Sequence, residues 1–400
     1  MLQETSSTAS SRRRPSAILI ILFIIFQILI IVVAFLGGFL VRGWRSEVLP
    51  STSKFPVLSE AYQILNENAI IPLPSDQKLE YGMIRGMLQA YNEPFTVFVE
   101  PPQHELQTQQ LQGKYGGIGV RIERDAQNNI YLYPLPDSPA IKAGIKNGDR
   151  LLKIGPLAIS AKTTNDELQA SIRGPIGEKV KVTIGHQPDY APVDLVVDRQ
   201  EVALPSIAWN LAPTEPSVGV VHVHIIAETT PDEVTKAIED LQNQGATRFI
   251  IDVRNNGGGL VDAGVDFALL FLKKGVVMEE QYRGQPVKSF TADKPGVFSD
   301  LPMVVLVNNG TASAAEIFAG AVQGQKRAPL IGSHTYGKDT IQLVFSLSDG
   351  SSLHVTSAHW WIPGLQNQSI SGKGLQPDIL LPDSADDGQF MQAALQSVLK

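Results

Sequence analysis

The chain has 400 residues and a net charge of −7 at pH 7, with 33 Lys and Arg against 40 Asp and Glu. This length allows two or three domains with hydrophobic cores of their own. The mild acidity, with no long basic patch, argues against nucleic-acid binding. Cysteine is absent, which excludes disulfides, zinc–thiolate sites and a cysteine nucleophile.

The N-terminus predicts a membrane anchor. Arginines at positions 12–14 precede an apolar run over residues 17–41, in which Gln27 is the one strongly polar residue. About 20 apolar residues span a bilayer, whereas a cleaved signal peptide has a shorter apolar core and a small-residue cleavage site. We therefore expect an uncleaved single-pass anchor in the cell membrane, with residues 1–16 in the cytoplasm and the remainder outside it. A cleaved signal peptide is the alternative.

A linker and a small helical region are expected next. Residues 42–54 have the composition of a juxtamembrane linker. Residues 55–112 contain two stretches with apolar residues at helical spacing, which predict helices over residues 55–66 and 79–91. The prolines at positions 94, 101 and 102 are expected to break regular structure after them.

Residues 113–187 resemble a circularly permuted PDZ domain of the bacterial type. The resemblance rests on a glycine-rich loop before a strand, a short helix begun by Ser138-Pro139-Ala140, a turn at Asn147-Gly148-Asp149 and a second helix over residues 164–172. Such a loop can direct backbone N–H groups at a carboxylate, and the adjoining strand edge can accept an extended peptide. The resemblance implies a pocket for an apolar C-terminus, framed by Gly117, Ile118, Gly119 and Val120. A small β-rich domain without a ligand is the alternative.

Residues 188–386 predict an α/β domain, followed by a C-terminal helix over residues 387–400. Apolar strands over residues 218–226, 249–253 and 303–307 alternate with helical patterns, which indicates βαβ units and a partly parallel sheet. Two of these strands, and a third apolar segment that ends near residue 332, each run into a loop rich in glycine or polar residues. Ligands of open α/β sheets bind beyond the carboxyl ends of the strands.

Two of these loops carry residues suited to acyl transfer. Ser313 lies in a Gly/Ala-rich bend before a helix, and Lys338 follows Gly337. A serine with a neutral lysine as base can perform acyl transfer without histidine, provided that burial lowers the lysine pKa from its usual value of about 10.4. The remaining loop, after the strand over residues 249–253, has three glycines at positions 257–259, which would let a backbone N–H approach a reacting carbonyl oxygen.

Together these segments resemble the C-terminal processing, or tail-specific, serine peptidase family with an embedded PDZ domain. The matching pieces are Asp252-Val253-Arg254-Asn255-Asn256-Gly257-Gly258-Gly259, Thr311-Ala312-Ser313, and Gly337-Lys338, with Ser313 and Lys338 separated by 25 positions as in the family. The resemblance implies a crotonase-like α/β core that needs no cofactor and no metal. It further implies that Ser313 is the nucleophile, Lys338 the general base, Gln342 the residue that holds Lys338, and that the oxyanion hole is formed by Gly258, Gly259 and Ala314.

Some residues leave alternatives open. Asp339 stands where the family usually has glycine, and a carboxylate beside Lys338 would raise the lysine pKa and oppose general-base action. A membrane-tethered PDZ scaffold with an inactive peptidase domain is therefore the alternative function. A crotonase-like acyl-CoA enzyme is a second, although the anchor and the PDZ segment argue against it. His222 and His224 lie two apart on a strand and could bind a metal, but no carboxylate cluster accompanies them.

We therefore predict a membrane-anchored serine endopeptidase that cleaves the C-terminal tails of extracytoplasmic proteins with exposed apolar C-termini. The PDZ segment lies between the helical region and the peptidase core, so it could block the catalytic groove until a tail binds. Arg173, at the end of the second PDZ helix, is the candidate for contacting the core in that step.

Overall fold

A computed structural model describes residues 55–365 and 369–400. The predicted cytoplasmic segment, anchor and linker, residues 1–54, lie outside the described residues. Within the described ranges, no helix is both long enough and apolar enough to cross a membrane. The chain divides into two compact units, one up to residue 82 and the other from residue 83 onward.

The described part of the first unit is helical. Helix α1 (Pro56–Asn68) begins with a proline, which suits the first helical position because the missing N–H would have had no partner there. Helix α2 (Asp76–Tyr91) begins in this unit and ends in the second. The prediction of two helices in this part of the chain is confirmed.

The second unit continues with β1 (Val97–Val99), α3 (Pro101–Gln112) and β2 (Lys114–Gly117). The expectation that the proline pair at positions 101 and 102 ends regular structure was wrong. These prolines occupy the first turn of α3, where proline is tolerated, and Gly113 ends the helix in the left-handed conformation with φ +68°.

The predicted PDZ segment forms an antiparallel sheet with its own core. The strands run in the order β3-β4-β5-β7-β8, with β6 paired to β5. The elements are β3 (Val120–Arg124), β4 (Ile130–Pro134), α4 (Pro139–Lys142), β5 (Asp149–Ile154), β6 (Leu157–Ala158), α5 (Asn165–Ile172), β7 (Lys179–Gly185) and β8 (Pro192–Asp198). Strand β8 extends this sheet beyond residue 187, where the sequence placed the end of the domain. Its inward side chains, Val193, Leu195 and Val197, pack on the PDZ core, which explains why β8 belongs to this sheet.

A two-stranded ribbon connects the PDZ sheet to the rest of the unit. Strand β9 (Gln200–Ala203) pairs antiparallel with β2, with Lys114 opposite Ala203 and Gly117 opposite Gln200. The chain therefore enters and leaves the PDZ domain at neighbouring points.

The remaining residues form the α/β core. Its elements are β10 (Ile207–Ala212), β11 (Glu215–Val223), α6 (Thr230–Asn243), β12 (Arg248–Asp252), α7 (Val261–Leu269), β13 (Gly275–Tyr282), β14 (Lys288–Ala292), β15 (Met303–Val307), α8 (Ala314–Gly324), β16 (Leu330–Gly332), β17 (Thr340–Ser346), β18 (Ser352–Trp361), β19 (Ile379–Leu380) and α9 (Asp387–Val398). The main sheet has the order β10-β11-β12-β15-β16-β19, and its pairs are parallel from β11 onward. The prediction of βαβ units and of a C-terminal helix is confirmed.

Both faces of the main sheet are covered, as a parallel sheet requires. The core on one face includes Phe249 of β12, Phe267 of α7 and Phe318 of α8. On the other face α9 buries Phe390 and Ala394 against the sheet. A second sheet has the order β1-β18-β13-β14, and β17 pairs with β18 along its length. Because β12, β15 and β16 are parallel neighbours, their carboxyl ends lie at one edge of the main sheet.

Candidate active site

Ser313 lies in a strained bend between β15 and α8. Its backbone has φ +54° and ψ −121°, in a region that costs a residue with a side chain about 1–3 kcal/mol. The two residues before Ser313 hold the bend, since Thr311 donates its hydroxyl to the Val253 carbonyl at 2.8 Å and Ala312 donates its N–H to the Asn256 carbonyl at 2.9 Å. This conformation places Ser313 on the wall of a cavity at the carboxyl edge of the sheet.

Glu316 ties the serine bend to the lysine loop. Its side chain is fully buried, and each of its oxygens accepts two hydrogen bonds. Oε2 accepts from the backbone N–H groups of Ser313 and Lys338, both at 2.9 Å. Oε1 accepts from the Thr335 hydroxyl at 2.6 Å and from the Gly337 N–H at 2.7 Å. Burial raises the pKa of Glu316, and these four hydrogen bonds oppose that rise.

The glycine loop after β12 is fixed by Asn256, whose side chain is fully buried. Asn256 donates from Nδ2 to the Val223 carbonyl at 2.8 Å, and its Oδ1 accepts the Gly258 N–H at 2.9 Å. Gly258 has φ +100°, and a Cβ at this position would lie 2.8 Å from both Ala312 O and Ser313 Cβ. Only glycine fits here, so the loop packs directly against the serine bend.

Of the predicted oxyanion-hole residues, Gly258 and Ala314 lie beside Ser313, and Gly259 lines the same cavity. Their backbone N–H groups differ in hydrogen bonding. The Gly258 N–H is donated to Asn256. The backbone just before Gly259 is held by Ile226, which donates its N–H to Gly258 O at 2.9 Å. Ala314 is the first residue of α8, so its N–H belongs to the helix-terminal donors that have no acceptor within the helix.

Lys338 reaches the same cavity from the loop before β17. Its Nζ donates to Gln342 Oε1 at 2.7 Å, and Gln342 in turn donates from Nε2 to the Phe95 carbonyl. Burial lowers the pKa of Lys338, while the negative charges of Glu93 and Glu316 act in the opposite direction. Among the hydrogen bonds of the described residues, none joins Lys338 Nζ to Ser313 Oγ.

The concern about Asp339 does not hold in the structure. Its carboxylate accepts a hydrogen bond from the Ser369 hydroxyl at 3.1 Å, and its backbone carbonyl accepts the Trp360 N–H at 2.9 Å. The charges that raise the Lys338 pKa come from Glu93 and Glu316 instead. The Asp339 side chain is held by Ser369, and proximity to Lys338 in the sequence did not by itself decide its effect on the lysine.

The cavity that contains both residues has a volume of about 970 Å³. It is lined on one side by the glycines at positions 257–259 and Ser313, and on the other by Lys338, Gln342 and the following residues of β17. A cavity of this size is at the upper end of the range typical of ligand pockets.

A second groove, of about 450 Å³, lies on the PDZ domain between β3 and α5. Val120 lines it, together with Arg173 and Tyr115, whose ring centre lies 4.6 Å from the Arg173 guanidinium carbon. Ile118 is fully buried in the PDZ core, so its side chain does not line this groove. Gly117, the last residue of β2, and Gly119, just before β3, are buried too.

The two histidines considered for a metal do not act as a pair. His222 contacts Asp252 at 3.2 Å, and Arg254 donates to the same carboxylate from Nη2 at 2.7 Å and from Nε at 2.9 Å. His224 lies beyond the end of β11 and lines the catalytic cavity. In the ranges that the structure describes, no group of three His, Asp or Glu side chains could hold a metal ion.

Sequence reasoning missed Glu316 and Asn256. The spacing of Ser313 and Glu316 is that of a helix capping box, which is a signal for the first of these contacts. The contacts of Glu316 with Thr335 and Gly337 had no local signal, and neither did the role of Asn256, since each joins segments that are distant in the sequence.

Comparison with known proteins decides the family. The sequence model of peptidase family S41 matches residues 217–381, and that of a PDZ domain matches residues 130–184. Carboxy-terminal processing protease CtpA of Bacillus subtilis (strain 168) is 32% identical over 336 residues, which are 83% of this chain and 70% of the relative. The chain belongs to peptidase family S41.

A second curated relative of this S41 peptidase agrees with the first. The carboxyl-terminal-processing protease of Synechocystis sp. is 37% identical over 303 residues, which cover 74% of this chain and 70% of the relative. Among solved structures, the photosystem II D1 C-terminal processing protease is similar with 27% identity and a TM-score of 0.47, covering 86% of this chain and 98% of the other. The family resemblance and the serine-peptidase prediction made from the motifs are confirmed.

Proposed function

We propose that this S41 peptidase cleaves protein substrates near their C-termini with Ser313 as nucleophile and Lys338 as general base. The observation that carries the proposal is that both residues line one cavity while burial lowers the pKa of Lys338. Ser313 Oγ attacks the scissile carbonyl carbon, and the hydroxyl proton passes to Lys338 Nζ. Lys338 then gives that proton to the leaving amine nitrogen, and water hydrolyses the ester with Lys338 again as base.

The oxyanion of the tetrahedral intermediate needs donors beside Ser313. We assign this role to the backbone N–H groups of Gly259 and Ala314, because Gly259 lines the same cavity as Ser313 and the Ala314 donor, next to Ser313 in the chain, has no acceptor within α8. Gly258 acts differently in this proposal. Its N–H binds Asn256, and its missing side chain lets the glycine loop approach the nucleophile.

The same proposal includes recognition of an apolar C-terminal tail in the groove between β3 and α5. Residues 117–120 would frame the carboxylate, and Val120, Leu168 and Ile172 would contact the last side chain. Arg173 stacks on Tyr115 of β2, and β2 belongs to the ribbon that joins the PDZ sheet to the rest of the unit. We propose that tail binding in the groove is transmitted to the peptidase core through this contact.

Deleting residues 118–199 leaves Gly117 and Gln200 paired in the ribbon, and it should change the rate of cleavage in the absence of a bound tail. Unchanged basal activity would exclude autoinhibition by the PDZ domain.

We also propose that residues 17–41 anchor the protein in the cell membrane, with the peptidase outside the cytoplasm. The support is the apolar run behind three arginines. A protease is added to cells whose cytoplasmic membrane is intact and whose outer envelope admits the protease. It should digest the peptidase domain and spare the N-terminal segment. Protection of the whole chain would refute this topology.

The central test uses a denatured protein that ends in an apolar tail. Ser313→Ala and Lys338→Ala should each lower the cleavage rate at least about 10³-fold while tail binding persists. Ser371→Ala and Lys274→Ala, at exposed positions, are the matched controls and should cleave like the wild type. Full activity in Ser313→Ala or Lys338→Ala would refute the mechanism. Binding without cleavage by the wild type would indicate the scaffold function instead.

A further inference from the structure

We propose that Phe95 is a positioning residue for the general base, and that the turn of residues 93–96 completes the active site from the N-terminal side. This inference rests on the proposed role of Lys338. The turn lies between α2 and β1, well before the PDZ domain in the sequence, yet it contacts both Lys338 and Gln342.

Phe95 makes one contact with Gln342 and a different one with Lys338. Its backbone carbonyl accepts a hydrogen bond from Gln342 Nε2, and its ring centre lies 4.9 Å from Lys338 Nζ. Because the amide nitrogen of Gln342 is committed to Phe95, the amide oxygen must face Lys338, where it accepts a hydrogen bond at 2.7 Å. The carbonyl of Phe95 thus sets the orientation of Gln342, and Gln342 sets the position of Lys338.

The ring suits a base that must be neutral at rest and protonated during the reaction. A carboxylate in contact with Lys338 Nζ would favour the ammonium form permanently. An aromatic face excludes water, which favours the neutral amine, and it attracts the ammonium more weakly than a carboxylate would. Phe95 therefore stabilises the protonated base that forms when Lys338 takes the Ser313 proton, and it raises the resting pKa of Lys338 less than a carboxylate in contact would.

Glu93 fixes the turn that presents Phe95. Its carboxylate accepts hydrogen bonds from the hydroxyls of Thr96 at 2.5 Å and Thr356 at 2.8 Å, and from the Phe95 N–H at 3.2 Å. Burial works against the charged form of Glu93, but these hydrogen bonds outweigh it and its pKa lies below the ordinary value. Thr356 is the partner of Gln342 in the β17–β18 ladder, so the turn is tied to the strand pair that carries Gln342.

Three titratable side chains lie around Lys338. The charges of Glu93 on the turn and Glu316 on α8 raise its pKa, whereas burial and the charges of His104 and Lys338 lower the pKa of His354 on β18. The test leaves all three unchanged and alters only Phe95. Any shift in the pH profile is then due to the ring.

The experiment measures kcat and KM against pH in the full-length protein, with a peptide that ends in an apolar residue as substrate. Phe95→Leu keeps the site dry but removes the aromatic face. We expect kcat to fall roughly 3- to 30-fold, KM to stay within about two-fold, and the rising limb of the pH profile to move to lower pH. Phe95→Ala admits water, which should move that limb to higher pH. Phe95→Tyr retains the ring face and should restore the wild-type profile.

Phe98→Leu is the matched control. Phe98 lies on β1 of the same segment, and the cation over its ring is the Arg85 guanidinium at 5.7 Å, whereas the cation over the Phe95 ring is Lys338. Its profile should match the wild type. The inference is refuted if Phe95→Leu and Phe95→Ala leave the limb in place, whatever their effect on thermal stability. If Ser313→Ala cleaves as fast as the wild type, the proposed function itself fails, and that result is separate.

Discussion

Replacing Glu316 with glutamine tests whether a carboxylate holds the active site together. The substitution keeps the size of the side chain but replaces one of two acceptor oxygens with an NH₂ donor. In the structure each oxygen accepts two hydrogen bonds, one pair from Ser313 and Lys338 and the other from Thr335 and Gly337. Glutamine can satisfy one pair only, and its NH₂ group must face the donors of the other.

The expected cost follows from the two lost hydrogen bonds. A buried donor left without an acceptor costs about 1–3 kcal/mol, so Glu316→Gln should lower the free energy of unfolding by roughly 2–6 kcal/mol. Either orientation of the amide also releases a backbone segment that positions Ser313 or Lys338, the two residues of the proposed mechanism. A displacement of about 1 Å there can cost about 10²-fold in kcat. We therefore expect lost stability and lost activity together.

Urea denaturation and peptide cleavage measure the two effects. Glu239→Gln, at an exposed position on α6, is the matched control and should change the free energy of unfolding by less than about 0.5 kcal/mol. If Glu316→Gln were as stable and as active as the control, the side chain would be protonated in the native protein. The argument that four donors require a carboxylate would then be wrong.

Three further results are expected. In the proposed mechanism cleavage requires the neutral amine of Lys338, so kcat should rise with pH through its lowered pKa and decline as the pH falls below it, and Lys338→Arg should be inactive at every pH tested. Gly258→Ala should lower kcat about 10²-fold because its Cβ would overlap the serine bend, whereas Gly257→Ala, with no atom within 4 Å of its Cβ, should retain activity; equal effects would contradict this reading. Asp252→Asn leaves Arg254 without its buried partner and should cost about 3–5 kcal/mol in urea denaturation, and a cost below about 1 kcal/mol would show that the pair is dispensable.

The parts of the fold that depend on local patterns could be predicted from the sequence. The five consecutive apolar residues of β15 and the Gly/Ala-rich turn before α8 indicated a buried strand and a helix start, and the structure has both. Parallel order then required the ends of β12, β15 and β16 to meet at one edge. Ser313 and Lys338 line one cavity for that reason.

The parts that depend on contacts between distant segments could not be predicted. Phe95 and Gln342 are 247 positions apart, and no periodicity connects them. Strand β8 adds a further strand to the PDZ sheet beyond residue 187, by pairing with β7. Asp339 was judged by its neighbour in the sequence, whereas its side chain bonds to Ser369.

The ribbon of β2 and β9 makes the PDZ domain a replaceable module. Residues directly opposite each other in an antiparallel pair have Cα atoms about 5 Å apart, so Gly117 and Gln200 offer two closely spaced attachment points. Any domain whose own termini lie side by side could be inserted there with little loss of chain entropy. The peptidase core could then be made to respond to a ligand of choice, as a proteolytic sensor whose input domain is exchanged while the output is kept.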